Sequence, residues 1–305
     1  MKEANHLAKW QGHIAVLMAN TIFGLSVPVT KDLVSNHLTP MGYMFFRCFG
    51  AALIFWLIAA FQPKENVARR DLWIIIIGGL LGFAVSQTLA AWSLTYTNPV
   101  YFSLIATLTP IAVMLLAAVL IKEKITGVKS IGVLIGIVGA LLMVYMGWIS
   151  GSGRNDVLGI TLALGSLLTW AIYLIVTRKV SGKYSSITQM KWMFLVSTIA
   201  VLPFAASELP AQPLFNEPSM WVGITEMSFI VLFATVFGFF CIPYAMARLD
   251  ATVVSVYTNL QPVVASLVAI AIGQDVLTWD KPVAAALVLL SAYIVSRPAA
   301  SEVVN

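Results

Sequence analysis

The sequence predicts an all-α integral membrane protein of ten transmembrane helices, built as two inverted five-helix repeats. Three observations predict it. Hydrophobic residues make up 60% of the 305 positions and charged residues only 10%. Ten apolar runs are each long enough to span a bilayer. The last five runs echo the first five. A soluble domain carries about 25% charged residues, so a chain this poor in charge, with a mean hydropathy of +0.91, cannot build a water-facing surface and must present most of it to lipid.

A bilayer core needs about 20 apolar residues per helix. The runs fall at 12–34, 40–61, 71–94, 99–121, 128–148, 157–177, 188–206, 221–246, 252–273 and 281–297. The first continues past the length of a signal-peptide core with no small-residue cleavage site behind it, so it reads as a retained span. The turn at Thr97-Asn98-Pro99 makes the third and fourth spans antiparallel neighbours. The longest connection, Ser207 to Met220, is proline-rich and reads as an external loop.

Orientation follows from Lys and Arg, which concentrate in cytoplasmic segments. With the N-terminus inside, those segments hold thirteen: Lys2, Lys9, Lys64, Arg69, Arg70, Lys122, Lys124, Lys129, Arg178, Lys179, Lys183, Arg248 and Arg297. The outer segments hold three: Lys31, Arg154 and Lys281. The expectation is a multi-pass protein of the plasma (inner) membrane with both termini cytoplasmic. The net charge of +5 is spread through these short linkers and forms no nucleic-acid surface.

The halves align. Shifted by 152 positions, Thr109-Pro110-Ile111 falls on Gln261-Pro262-Val263, Glu123 on Asp275 and Thr126 on Thr278. Shifted by 147, Lys31 falls on Arg178. Residues 1–148 therefore form one repeat and 149–305 the second. Five spans per repeat is an odd number, so the second copy enters the membrane from the opposite side. Inverted repeats are a signature of secondary transporters, in which two similar halves exchange inward-open and outward-open states.

Both repeats carry a polar stripe with a central proline. In the fourth span Ser103, Thr107, Pro110 and Met114 share one helix face, and in the ninth Ser255, Asn259, Pro262 and Ser266 do so. Pro110 and Pro262 are expected helix kinks, since proline leaves a backbone carbonyl without its donor and such a site sits beside protein or water. The stripe either lines a central cavity or packs helices through small residues and hydroxyls. Asn259 and Gln261 are costly in lipid without partners, with Tyr257 one turn before; they contact either a polar solute or neighbouring helices. In the first span Asn20, Phe23, Ser26 and Thr30 share a side, matched in the sixth by Ser166, Trp170, Tyr173 and Thr177. Trp170 and Tyr173 either close over a ligand or pack between helices.

Arg47 lies in the outer third of the second span. An intramembrane arginine needs a partner or water, although a long side chain near a span end also snorkels to the interface. Facing a cavity, it suits the carboxylate of an anionic or zwitterionic solute. Glu226, near the outer end of the eighth span beside Trp221, reads as interfacial, so no mid-membrane carboxylate for ion coupling is apparent. Cys48 and Cys241 lie in apolar runs without metal spacing and read as small fillers; no metal or cofactor is expected. Gly132, Gly136 and Gly139 form a small-residue face in the fifth span, suited to another helix or to a second copy in a homodimer.

The segment AAWSLTYTNPVYFSLIATLTPIAVMLLAAVLIKEK, ending at Lys124, resembles the hallmark of the EamA family of the drug/metabolite transporter superfamily. The family pattern is a helix with Ala-Leu-like residues near its end, a tight turn, a helix with a central Pro and a terminal Glu, here Ala91, Leu94, Pro110 and Glu123. The second copy, Ala245 to Asp275, carries Pro262 and replaces the usual Glu with Asp275. The Trp170-Ala171-Ile172-Tyr173 run and the fifth-span glycines also resemble the family. The resemblance implies two EamA-type repeats, a central substrate cavity and export of amino acids or other metabolites; nucleotide-sugar and drug carriers belong to the same superfamily.

Other classes find less support. A membrane enzyme needs a nucleophile, base or metal cluster, and His6, His13 and His37 pair with no buried acid or cysteine in the sequence pattern. Neither HExxH nor GxSxG occurs. A channel would show charge rings or a carbonyl filter loop. A scaffold or sensor would carry a signalling domain in its loops. The expected partners are a small-molecule substrate and the lipid bilayer, with Asn20, Arg47, Thr107, Trp170, Tyr173, Tyr257, Asn259 and Gln261 as candidate substrate contacts.

Overall fold

The structure, a computed structural model, describes residues 2–121, 154–215, 218–249 and 257–273, with scattered positions between 131 and 138 and between 253 and 294. All regular structure among the described residues is helical. Helix α1 (Lys2–Asp32) ends in a π-turn, Leu33–His37. Helix α2 (Pro40–Ala60) starts where its sequence dictates: Pro40 needs no N–H in the first turn, and Thr39 caps it by accepting from the Gly42 N–H. Helices α3 (Arg69–Gly79) and α4 (Ser86–Tyr96) are one rod joined by a π-segment, Leu80–Val85. After the Thr97–Pro99 turn, α5 (Pro99–Ala106) is capped by Asn98 and gives way to α6 (Thr109–Ile121).

Helix α7 spans Arg154–Ser181 and α8 Ser186–Ala205, the latter capped by Ser185 accepting from the Thr188 N–H. Two 3-10 turns, Leu209–Ala211 and Pro213–Phe215, fill the proline-rich connection. Helices α9 (Met220–Phe229) and α10 (Gly238–Met246) again form one rod through a π-segment, Ile230–Phe237. A 3-10 turn, Tyr257–Asn259, leads into α11 (Leu260–Ala271).

Among the described residues six helices are long and apolar enough to cross a membrane: Lys9–His37, Pro40–Ala60, Arg69–Tyr96, Val157–Ser181, Ser186–Ala205 and Met220–Met246. A shorter apolar helix covers Tyr101–Leu116. The expected fifth and tenth spans lie largely outside the described residues, as do Glu123, Thr126, Gly136, Gly139, Ser255, Asp275 and Thr278 and the side chains of Asn259, Pro262 and Ser266. The outer face carries exposed Leu53, Leu57, Phe61, Phe204 and Trp221, the apolar surface that lipid requires.

The expected proline kink is a break. The fourth span parts at Thr107–Leu108, and Pro110 stands in the first turn of α6, where its missing N–H costs nothing. Pro262 likewise falls in the first turn of α11, behind the 3-10 turn. The π-segments inside the α3–α4 and α9–α10 rods recur in the same way, one in each half.

Packing relates the halves. Helix α2 lies along α8; α1 packs on α10 and α11, while α7 packs on α4, α5 and α6. Close approaches depend on glycine. A Cβ on Gly79 would stand 2.8 Å from the Met193 backbone, and one on Gly24 would stand 2.7 Å from Val264. At one end of the bundle Thr39 meets Gln212, whose Oε1 accepts from the Thr39 N–H at 2.9 Å. At the other, Glu65 accepts from the Ser185 N–H and hydroxyl, and the Tyr184 hydroxyl donates to Asp71 at 2.9 Å.

Candidate functional site

Arg47 is the centre of the polar interior. Two turns into α2, it is 6% exposed. Its Nε donates to Thr235 Oγ1 at 2.9 Å; its Nη1 donates to the Tyr43 hydroxyl at 3.0 Å and to Gln87 Oε1 at 3.1 Å. These acceptors come from three rods: Tyr43 shares its helix at i−4, Gln87 opens α4 after the first π-segment, and Thr235 sits in the second. A π-turn holds an extra residue and re-aims the side chains around it; here Thr235 lies within one π-segment and Gln87 in the first turn after the other, and both accept from one guanidinium. The Cζ also lies 5.3 Å from the centre of the Phe239 ring, within cation–π range.

Around Arg47 lies a cavity of about 780 Å³ including its open mouth. Its lining runs from Thr258 and Gln261 up to Leu94 and Phe102, close to the Thr97–Pro99 turn. Ser86 is fixed on the wall by donating to the Ser166 carbonyl at 2.9 Å. Phe23, Trp170 and Phe239 form an apolar side, with Phe23 and Phe239 4.9 Å and Trp170 and Phe239 5.8 Å apart. A smaller chamber of about 250 Å³ continues past Trp170 and Gln261 toward Asn20 and Ile242.

Below it the halves are joined by polar contacts. Gln261 Nε2 donates to Asn20 Oδ1 at 2.8 Å, His13 Nδ1 and the Tyr257 hydroxyl share a hydrogen bond of 2.7 Å, and Tyr244 donates to Gln11 at 3.3 Å. All three bind α1 to the second half of the chain.

The structure brings Asn20, Arg47, Trp170 and Gln261 to the two chambers. It places three other expected contacts elsewhere. Tyr173 is fully buried against Phe83, 5.2 Å between ring centres, and against Gly82, so it packs between rods. The Thr107 hydroxyl is turned back onto the Leu104 carbonyl at 2.6 Å, satisfying the broken span. Tyr257 lies below the chambers on His13. Sequence reading missed Gln87, Thr235, Tyr43 and Phe239. For Gln87 a signal existed: a mid-span amide must find a partner.

Glu226 joins Asp32 and His37 at the Thr39 end of the bundle, their donor atoms within 4.8 Å of one another, the metal-type cluster found among the described residues. None of the three lines the cavity.

The sequence matches the pattern of the EamA-like transporter family over residues 10–145 and 157–297. The chain belongs to that family. The EamA match covers both halves, so the two rods with π-segments fall one in each matched region. Among its relatives is an uncharacterized transporter of Archaeoglobus fulgidus, 26% identical over 95% of this chain and 99% of the relative. The uncharacterized transporter YyaM of Bacillus subtilis is 24% identical over 90% of each chain. The uncharacterized inner membrane transporter YhbE of Escherichia coli K12 is 24% identical over 83% of this chain and 79% of its own. A crystal structure 18% identical superposes with a TM-score of 0.64 over 94% of each chain, which shows a shared fold. The EamA family is a transporter family, not an enzyme family, and its six described apolar spans make this member a multi-pass membrane protein.

Proposed function

We propose that this EamA protein exports a small polar or amphipathic metabolite, with amino acids and their relatives as the first class to test, across the plasma (inner) membrane. It works by alternating access of two inverted five-span repeats, 1–148 and 149–305, with both termini cytoplasmic. The observation that carries the reading is the cavity around Arg47. It is walled by helices from both halves, extends toward the Thr97 end and is shut at the His13 end by polar contacts between the halves. A cavity reached from one end and closed at the other supports an alternating cycle. Opening requires the Asn20–Gln261 and His13–Tyr257 bonds to part while contacts form at the opposite end.

Arg47, Asn20, Gln261 and Asn259 supply polar contacts in this reading, with Trp170 as the aromatic wall. Tyr173, Thr107 and Tyr257 act from behind it, through packing or the lower seal. The test is metabolite profiling of medium and cytosol in a bacterial host expressing the chain, against an empty vector, followed by flux of the enriched solute in proteoliposomes. Saturable flux, lowered by alanine at Gln261 and Asn259, is the expected outcome. Flux indifferent to those substitutions removes the site assignment, and no solute moving in either assay removes transport.

A further inference from the structure

We infer that the cavity selects a monoanionic carboxylate with an apolar body, and disfavours zwitterions and cations. The inference rests on the transport reading above and, within its small metabolites, ranks carboxylic acids ahead of the amino acids named first there.

Three observations carry it. Arg47 is a buried cation whose partners are all neutral: Thr235, Tyr43 and Gln87. Among the described residues no carboxylate pairs with it, and its Nη2 donates to nothing. A guanidinium does not lose its proton, so the charge stays, and burying it without a counter-ion is unfavourable. An anion entering the cavity relieves that state.

Secondly, among the described residues that line either chamber there is no Asp or Glu. The described lining thus attracts a negative group at Arg47 and offers no acid to a positive one. In an α-amino acid the ammonium is two bonds from the carboxylate. With the carboxylate on Arg47 Nη2, that ammonium stands beside the guanidinium, where like charges repel.

Thirdly, the remaining wall is apolar and aromatic, with Phe23, Phe102, Trp170 and Phe239 facing the space. A flat or branched hydrocarbon body fills it, and Arg47 Nη1 and Nε are already committed. One buried positive charge is neutralised by one singly charged carboxylate, whereas a phosphate dianion would leave a net negative charge buried.

Three molecules share one body and differ only in charge: 3-phenylpropionate, phenylalanine and 2-phenylethylamine. Binding of each to the purified full-length protein is measured by calorimetry in detergent micelles, where passive permeation of the acid does not interfere. The expected result is 3-phenylpropionate binding at least tenfold more tightly than phenylalanine, and the amine more weakly still. Arg47→Gln abolishes the difference between acid and zwitterion, and Arg47→Lys retains its sign. Thermal melting of each variant identifies a folding failure; should Arg47→Gln unfold, Arg47→Lys and the wild-type ranking decide. Phenylalanine or the amine binding as tightly as the acid overturns the inference, and so does absence of binding by all three.

Proteoliposome flux separates this from the wider reading. Saturable phenylalanine flux with no acid preference leaves transport standing and sinks the anion selectivity. Acid-selective binding with no flux of any solute does the reverse.

Discussion

Gln261 Nε2 donates to Asn20 Oδ1 at 2.8 Å, a side-chain bond between residues 241 positions apart at the floor of the cavity. Asn20 also donates to the Val16 carbonyl at 2.9 Å, so its amide is oriented by its own helix before it meets the other half. An interhelical bond of this kind in a membrane contributes about 1 kcal/mol. Asn20→Ala should therefore favour opening of the floor about fivefold. Deuterium uptake across residues 11–24 reads this directly: faster exchange is expected, and unchanged exchange would show the bond is no part of the seal.

Gly79 lets α3 touch the α8 backbone. A methyl there would press on the Met193 Cα and carbonyl at 2.8 Å, and backbone cannot swing aside as a side chain does. Gly79→Ala should cost about 1–3 kcal/mol and lower the melting temperature. Gly182→Ala, with nothing within 4 Å of its Cβ, is the control and should melt like wild type. Equal melting of the two variants would refute the close approach.

Thr235 positions Arg47. Its hydroxyl accepts from Arg47 Nε and donates to the Ile230 carbonyl at 2.8 Å, so the π-segment itself fixes the acceptor. Thr235→Val keeps the shape and removes the acceptor. We expect KM for flux to rise severalfold with the maximal rate little changed. In an Arg47→Gln background the same substitution should add nothing, because neighbours acting through one group do not add. Additive effects would place Thr235 on the substrate instead.

Glu65, in the connection between α2 and α3, links two loops at one end of the bundle. Partial burial raises its pKa, but hydrogen bonds with Thr188 and Ser185 and the charge of Lys191 outweigh this and hold it below the ordinary value. A folded pKa below the unfolded one adds stability above the unfolded value, near pH 4.3, and that stability is lost as pH falls through the folded value. Glu65→Gln should flatten the acid limb of melting temperature against pH below about 4.3. The gap between variant and wild type is widest at pH 7, where the stabilisation is fully present, and modest even there because the group is exposed and screened. An unaltered acid limb would mean the contact does not persist in solution.

Much of the fold was legible because lipid imposes a simple rule: every spanning backbone must satisfy itself, and every long apolar run becomes a helix. The span starts at 40 and 99 fall where the structure has them, because Pro40 and Pro99 open their helices. The π-segments Leu80–Val85 and Ile230–Phe237 were not legible, because nothing in their composition departs from an ordinary apolar helix. The site was half legible. Arg47, Asn20 and Gln261 stood out as polar groups in costly places, whereas Tyr173 looked equally like a wall and like packing. Only the proximity of Gly78 and Gly82 decides it: they admit the Tyr173 ring between rods, away from the cavity.

The sequence by itself determined that this is a helical membrane protein, roughly where its described spans fall, and which interior polar groups need partners. Those follow from transfer free energies and local hydrogen bonding, which act over a few residues. Tertiary structure alone decided which partner each group takes. Thr235 and Gln87 lie 188 and 40 positions from Arg47, yet both accept from it. That choice depends on how rods twist and how closely glycines let them meet, and rod geometry is fixed only when all the faces pack at once.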